Sequence, residues 1–431
     1  MTTAAPAAAG TIPALNDEQR AALTMIQAWH EGGEDPFFVL AGSAGTGKTF
    51  LMQQFLREHK GRVVFTAPTN KATKVLARTL KAADYTPECK TIYSLLGLQL
   101  AANGEVKVLA VPDEPVDLSR FSLVVVDEGS MVNSQLTAII RKAAADFKTP
   151  VLFLGDPAQL PPVGEVESPI WEIKNRAQLY RVMRHDNQIL TLAQRLRERV
   201  EKPLGSIKID SDNDGIEGVW RASQIDFECS IVEHAERGDF TRPDFCKVVA
   251  WRNVTVDSYN ALVRKAIWGS ESLRPWLVDD RVIFTAPAKN LEDEIIATTD
   301  DEGTVIRAEE AWHPVWQEFK IWNVQVQIDG GQLVTARVLH PECRMVFERK
   351  AEEMAAAARA DKRKWKSFWE FKEAFHGLRH GYAITAHRAQ GSTYDTTFVD
   401  WRDVMLNKER AEAFRCLYVA CTRSRKRLVL N

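Results

Sequence analysis

Residues 37–50 read FFVLAGSAGTGKTF. An apolar run, Phe37 to Ala41, is followed by a loop almost bare of side chain, Gly42, Ser43, Ala44, Gly45, Thr46 and Gly47, and then by Lys48 and Thr49. The run suits a buried strand. The stretch KTFLMQQFLREH, residues 48–59, suits an amphipathic helix with Phe50, Leu51 and Phe55 among its apolar residues. Strand, bare loop and helix form the arrangement in which backbone N–H groups can wrap a phosphate, because no side chain blocks them. The helix N-terminus adds partial positive charge, Lys48 neutralises the outer phosphates, and Thr49 offers a hydroxyl to magnesium.

Such a loop needs acid beside it. FSLVVVDEGSM, residues 121–131, supplies a buried strand ending in Asp127 and Glu128. Asp127 is expected to hold magnesium through water, and Glu128 to activate the attacking water. A third apolar run, VLFLGDPAQLPPVG from residue 151, ends near Gln159. That neutral amide can sense a terminal phosphate or orient water without adding charge.

The chain has 431 residues, too many for one core, so two to four domains are expected. No apolar run is long enough to cross a membrane. The N-terminal MTTAAPAAAG lacks a basic segment before an apolar core, so residues 1–14 read as a flexible arm rather than a secretion signal. Six scattered cysteines without metal spacing fit reduced thiols in a cytoplasmic protein. With a net charge of -2, a nucleic-acid partner would have to be met by a local basic groove.

The three sites stand in a longer series. LNDEQRAAL opens at residue 15, VVFTAPTNKATKVL at 63, TIYSLLGL at 91, LYRVMRHDNQIL at 179, AITAHRAQGSTYD at 383 and LYVACTRSRKRLVL at 417. Taken in order, these motifs resemble those of superfamily 1B helicases of the RecD-like branch, and most of all the phage Dda helicases, from about Leu15 to the C-terminus. The resemblance implies a monomeric, DNA-stimulated ATP hydrolase that uses ATP and Mg2+. It would translocate 5′→3′ on single-stranded DNA and unwind duplexes at single-strand/duplex junctions inside a phage-infected or bacterial cell, with single-strand-binding or replication proteins as possible partners. It makes Gln19 the reader of the adenine, places Gly391 beside Gln390 at the same cleft, and makes Arg184 and Arg423 the arginines that reach the terminal phosphate from the second lobe. An arginine so placed stabilises transition-state charge, and it makes the position of its lobe depend on the nucleotide.

Single-stranded DNA needs polar and basic groups along its backbone. Pro68, Thr69, Asn70 and Lys71 (with Lys74 one turn on), Thr91 and Ser94, and then Thr385, His387 and Arg388 follow predicted strands, at the sheet edge where open α/β folds bind ligands.

The expected fold class is α/β, with two RecA-like doubly wound parallel-sheet domains. Domain 1A covers residues 15–187 and carries a β-hairpin insertion at about 96–118, where Asn103-Gly104 signals the turn. The resemblance makes this hairpin a strand-separating pin. It has no aromatic tip, so Leu109 or Val111 would serve as an aliphatic wedge. Domain 2A covers residues 188–280 and 380–431. Between its parts, residues 281–379 read as short strands, RVIFTAP, GTVIRA, IWNVQVQI, QLVTARVL and CRMVFE, and then an alanine- and charge-rich helix. This is domain 2B, an SH3-like β-barrel with a long helix. The aromatics Trp365, Phe368, Trp369 and Phe375 read as packing residues of that helix rather than a base-stacking strip. Two other readings stay open from sequence: a translocase that strips proteins from nucleic acid without unwinding, and a P-loop ATPase that uses nucleotide only as a switch.

Overall fold

The computed structural model describes residues 14–32, 34–82, 85–103, 106–112, 114–181, 188–203, 205 and 207–431. The first lobe runs α1 (Asp17–Gly32), β1 (Phe37–Gly42), α2 (Lys48–Glu58), β2 (Val63–Ala67), α3 (Asn70–Lys81), β3 (Glu88–Thr91) and α4 (Ile92–Leu95). The hairpin β4 (Gln99–Asn103) and β5 (Val106–Ala110) follows, then β6 (Leu123–Val126), α5 (Ser134–Phe147), β7 (Val151–Gly155) and β8 (Arg176–Leu179). The sheet order is β3-β2-β6-β7-β1-β8, with every pairing parallel. Helices cover both faces, so β1, β2, β6 and β7 are buried along their whole length. That burial is why they read as unbroken apolar runs. Phe38, Leu40, Phe65 and Leu152 pack on one face against Leu51 and Phe55 of α2, and Val39, Val64, Val124 and Phe153 pack on the other against Leu136 and Ile140 of α5.

The second lobe starts with α6 (Gln188–Glu201), β9 (Asp212–Asn213), β10 (Gly218–Arg221), α7 (Gln224–Glu236), β11 (Cys246–Ala250) and α8 (Asn253–Trp268). The chain then leaves for β12 (Arg281–Phe284), β13 (Ala288–Lys289), β14 (Ile295–Ala297), β15 (Glu302–Trp312), β16 (Lys320–Ile328), β17 (Leu333–Leu339), α9 (Arg344–Ala360), α10 (Trp365–Glu373) and β18 (Leu378–His380). It returns with β19 (Ala383–Thr385), β20 (Tyr394–Val399), α11 (Trp401–Val404), α12 (Arg410–Thr422) and β21 (Ser424–Leu430). The second sheet has the order β19-β11-β20-β21-β10-β9, parallel except for the edge strand β9.

The excursion is antiparallel, in the order β17-β16-β15-β12-β18, with β13 and β14 forming a separate ribbon. The expected barrel takes this form: Ala288 and Ala297 of the ribbon join Val282, Val305, Val324 and Val334 in one core, while β17 and β18 remain edges not paired with each other. CRMVFE is not a strand. Arg344 begins α9, and Phe347 packs on Phe319 and Phe371. Its short apolar alternation fits either period, and the alanine-rich sequence behind it decides for helix. The aromatics of α10 are packing residues. Trp365 and Phe368 are buried with Ala355 and Ala358 of α9, and Phe371 lies edge-on to Trp316. α10 also touches β4, so the helix braces the hairpin. Residues 104–105 at the hairpin turn lie outside the described residues. Of the two wedge candidates, Leu109 is half-buried and Val111 is 48% exposed.

The excursion is tied to both lobes through one acid. Glu302, at the start of β15, accepts from Lys71 of α3 at 2.5 Å and from Lys247 of β11 at 2.8 Å, with Arg281 of β12 at 3.7 Å. Burial alone would raise the Glu302 carboxyl, but Lys247, Lys71 and Arg281 hold it well below the usual range. Removing the acid strands buried cations, so Glu302→Ala should cost roughly 3–5 kcal/mol of stability. Lys74→Ala, which breaks the more exposed pair with Asp301, should cost at most about 1 kcal/mol. Denaturant unfolding of the two variants checks this. Equal, small effects would mean that Glu302 does not join the lobes.

Candidate nucleotide site and nucleic-acid interface

β1, β7 and β6 lie side by side, so the loops leaving their C-terminal ends meet. The loop after β1 is shaped by its glycines. Gly47 has φ 83, and a Cβ there would lie 2.6 Å from Gln19 Nε2. A Cβ on Gly42 would lie 2.6 Å from Thr46 Oγ1. Thr46 donates its hydroxyl to Ser43 O at 2.9 Å, closing the loop on itself. Gly45 also has positive φ, and Ala44 is half-buried on the cleft side. Lys48 and Thr49 begin α2, and Lys48 Nζ donates to Gly42 O at 2.7 Å and Ser43 O at 3.2 Å.

Asp127 and Glu128 leave β6 together. Asp127 Oδ1 accepts from the Glu128 N–H at 2.8 Å, and Glu128 takes a left-handed backbone, φ 52. Burial pushes the Asp127 carboxyl up. Burial and repulsion from Asp127 push Glu128 up, against the pull of Arg423 and Lys48. Two crowded acids beside one lysine, with the Thr49 hydroxyl in the first turn of α2, offer hard oxygen donors with too little positive charge. That suits Mg2+ held by Thr49 and Asp127. When bound, the ion would neutralise charge on the transferred phosphoryl group.

Gln159 lies after β7, 7% exposed, and among the described residues its Oε1 has no hydrogen-bond partner, an acceptor left for water. The second lobe reaches this loop from α12. Tyr418 donates its hydroxyl to Asp156 and accepts from Ala44 N at 3.4 Å, and Arg415 donates to Gln159 O at 2.8 Å. Gln390 Nε2 donates to Leu160 O at 3.3 Å, and Gly391, φ 71, abuts Ala72 of α3. Arg423 caps α12, 5% exposed, and donates to Val419 O at 3.1 Å and Ser392 O at 3.2 Å while lying within electrostatic reach of Glu128. One cleft therefore brings together Lys48, Asp127, Glu128 and Gln159 from one lobe and Arg423 from the other.

On the sheet edges the nucleic-acid candidates divide. Thr69 caps α3 by accepting from Ala72 N at 3.1 Å, and Thr91 caps α4 by accepting from Ser94 N at 3.1 Å. Both hydroxyls keep their own proton to donate. Pro68 is buried, Asn70 half-buried and Ser94 exposed. In the second lobe, Thr385, His387 and Arg388 line a hollow of ≈ 590 Å³ with Trp251, Asn253, Thr285 and Arg379. His387 lies 3.7 Å from Glu412, and burial pushes its pKa down. Arg388 pairs with Asp300 at 2.5 Å.

Against known proteins, residues 14–218 match the model of an AAA domain, and residues 380–431 match the UvrD-like helicase C-terminal domain. The chain is 24% identical over 429 residues to the ATP-dependent DNA helicase dda of Enterobacteria phage T4, covering 89% of this chain and 92% of that one. The chain is similar to superfamily 1B helicases of the Dda- and Pif1-like group. An uncharacterized protein, R530, of Acanthamoeba polyphaga mimivirus is 26% identical over 492 residues, covering 96% of this chain and 99% of the relative. A solved structure of Pif1 helicases at forked double-stranded DNA shares the fold, with a TM-score of 0.51 and 15% identity over 97% of this chain and 92% of that one.

Three sequence expectations need correction or restriction. Gln19 does not lie open to a base. It is 1% exposed, its Nε2 donates to Thr46 O at 3.1 Å, and its Oε1 accepts from Asn16 N at 3.2 Å in a reciprocal helix cap. Lys71 is not free for a phosphodiester, because Glu302 and the Tyr394 hydroxyl, at 3.0 Å, occupy its ammonium. Arg184 lies outside the described residues. Tyr418, which stands inside a quoted motif, and Trp251, just past β11, escaped the sequence reading, since each also fits an ordinary apolar run.

Proposed function

We propose that this protein hydrolyses ATP in the cleft between Lys48 and Arg423 and uses the resulting lobe movement to travel 5′→3′ along single-stranded DNA, displacing the complementary strand. The observation that carries the proposal is the meeting of the lobes at this site: Tyr418 of the far lobe accepts from Ala44 N at 3.4 Å and Arg415 donates to Gln159 O at 2.8 Å, with Arg423, at the end of the same helix, drawing Glu128 down. A terminal phosphate there would draw Arg423 off the carbonyls of Val419 and Ser392. Its loss would let the guanidinium return. Thr69 and Thr91 on one lobe, and Thr385, His387 and Arg388 on the other, would grip the DNA backbone in turn as the lobes approach and part.

Glu128 is the candidate base. Its carboxylate would take a proton from the attacking water while Gln159 Oε1 orients that water. The direction of travel rests on likeness to the Dda-type helicases. Strand displacement from partial duplexes tests it. A 5′ overhang should support unwinding in the presence of ATP, and an otherwise identical 3′ overhang should not. Equal activity on both would overturn the direction. Single-strand-stimulated hydrolysis without displacement on either would favour a translocase, and unstimulated hydrolysis would favour a nucleotide switch.

A further inference from the structure

The turn that follows β19 sets His387 against one face of α12. The Ala389 N–H donates to Thr385 O at 3.0 Å and the Gln390 N–H to His387 O at 3.3 Å, which fixes the backbone of the turn. On α12, Glu412 and Cys416 stand four residues apart, so their side chains share a face of the helix. The imidazole, the carboxylate and the thiol converge: one ligand atom from each of His387, Glu412 and Cys416 lies within 4.8 Å of the other two. Of the three, only His387 has a part in the function proposed above.

Two members of this trio lack an occupation. His387 Nε2 is 3.7 Å from Glu412 Oε1, too far for a hydrogen bond, and among the described residues neither side chain makes one elsewhere. Both side chains are partly open to solvent, whereas Cys416 is fully buried and forms the floor of the cluster. Burial pushes the His387 pKa down, which keeps the ring neutral with a lone pair to give. Nitrogen, oxygen and sulfur donors in one place suit a borderline-soft cation and not Mg2+, which takes oxygen alone. Three protein ligands with an open fourth position is a zinc arrangement, in which ligand atoms stand ~3.3–3.8 Å apart. The gap between His387 and Glu412 already has that width, and small rotations of these two side chains would close the rest on the thiol.

We infer that His387, Glu412 and Cys416 form a site for one Zn2+ ion, with water in its fourth position. The ion must displace the thiol proton to solvent. Burial pushes that thiol up to about 12, so zinc affinity rises with pH. Bound zinc would fasten the turn bearing His387 and Arg388 to α12, the helix that ends at Arg423. It would also draw the His387 ring out of the hollow it lines with Thr385 and Arg388, and so weaken the grip on single-stranded DNA. The site stands on its own geometry; only this last effect rests on the DNA contacts proposed above.

Co2+ is the probe, because a thiolate on Co2+ absorbs strongly in the near ultraviolet and oxygen ligands alone do not. Titrating the reduced wild-type protein should raise that band to one cobalt per chain, and Zn2+ should bleach it. Cys416→Ser should abolish the band. Glu412→Gln should weaken cobalt binding at least about tenfold. Cys229→Ser, which removes an exposed thiol, should leave the band unchanged. A wild type without the band overturns the inference, as does a band that survives Cys416→Ser or vanishes with Cys229→Ser. Should Cys416→Ser fail to fold, Glu412→Gln carries the test, since its side chain is partly solvated, and undiminished cobalt binding there overturns the inference. At a zinc concentration that fills only the wild-type site, the Kd for oligo(dT) should rise about tenfold in the wild type and stay level in Glu412→Gln. Metal bound as expected with unchanged DNA affinity would confirm the site and sink the part given to His387 in holding DNA.

Discussion

Lys48→Ala is expected to lower DNA-stimulated ATP hydrolysis by roughly 10³-fold or more and to leave thermal unfolding nearly unchanged. The fold should survive because Lys48 holds up no core. Its ammonium only bridges the carbonyls of Gly42 and Ser43, and β1 and α2 pack through Leu40, Leu51 and Phe55. The chemistry should fail for two reasons. The outer phosphates lose their one lysine on this loop. Asp127 and Glu128, already pushed up by burial, also lose a cation that draws them down. Turnover and a melting curve on the same preparation check this. Turnover that persists in a folded variant would mean that the phosphate site lies elsewhere.

Arg423→Ala should behave differently. ATP binding should fall only severalfold, because the phosphate loop belongs to the other lobe. Turnover should fall roughly 10³–10⁵-fold, the range for an arginine that stabilises phosphoryl-transfer charge from outside the phosphate loop. Arg423→Lys should not restore it, since a point charge cannot replace a planar fork of donors. Nucleotide titration alongside single-turnover hydrolysis separates the two effects. A variant that loses binding and turnover in equal measure would make Arg423 a simple binding residue.

How legible the molecule was depended on whether a feature is made by neighbours in sequence. The phosphate loop is written in backbone terms. Gly47 is glycine because of positive φ and the nearby Gln19 amide, and both requirements are met within a few residues of a visible strand and helix. The sheets were readable because two-sided burial turns β1, β6 and β7 into plain apolar runs. Glu302 is the opposite case. In TTDDEGTV it looks like an exposed turn acid. Its burial depends on cations contributed from positions 71, 247 and 281, which only the tertiary fold assembles. The same assembly turned Lys71 from an apparent DNA contact into a strut. The barrel was only half visible, since alternation marks strands and says nothing about which edges meet.

The proposed motor works through one nucleotide shared by two lobes. The most direct measurement is a crystal structure of the protein with magnesium and a non-hydrolysable ATP analogue. It should show the Lys48 ammonium and the Arg423 guanidinium on the same terminal phosphate, with Arg423 released from Val419 and Ser392. An analogue bound on the phosphate loop while Arg423 stays on those two carbonyls, out of reach of the nucleotide, would contradict it.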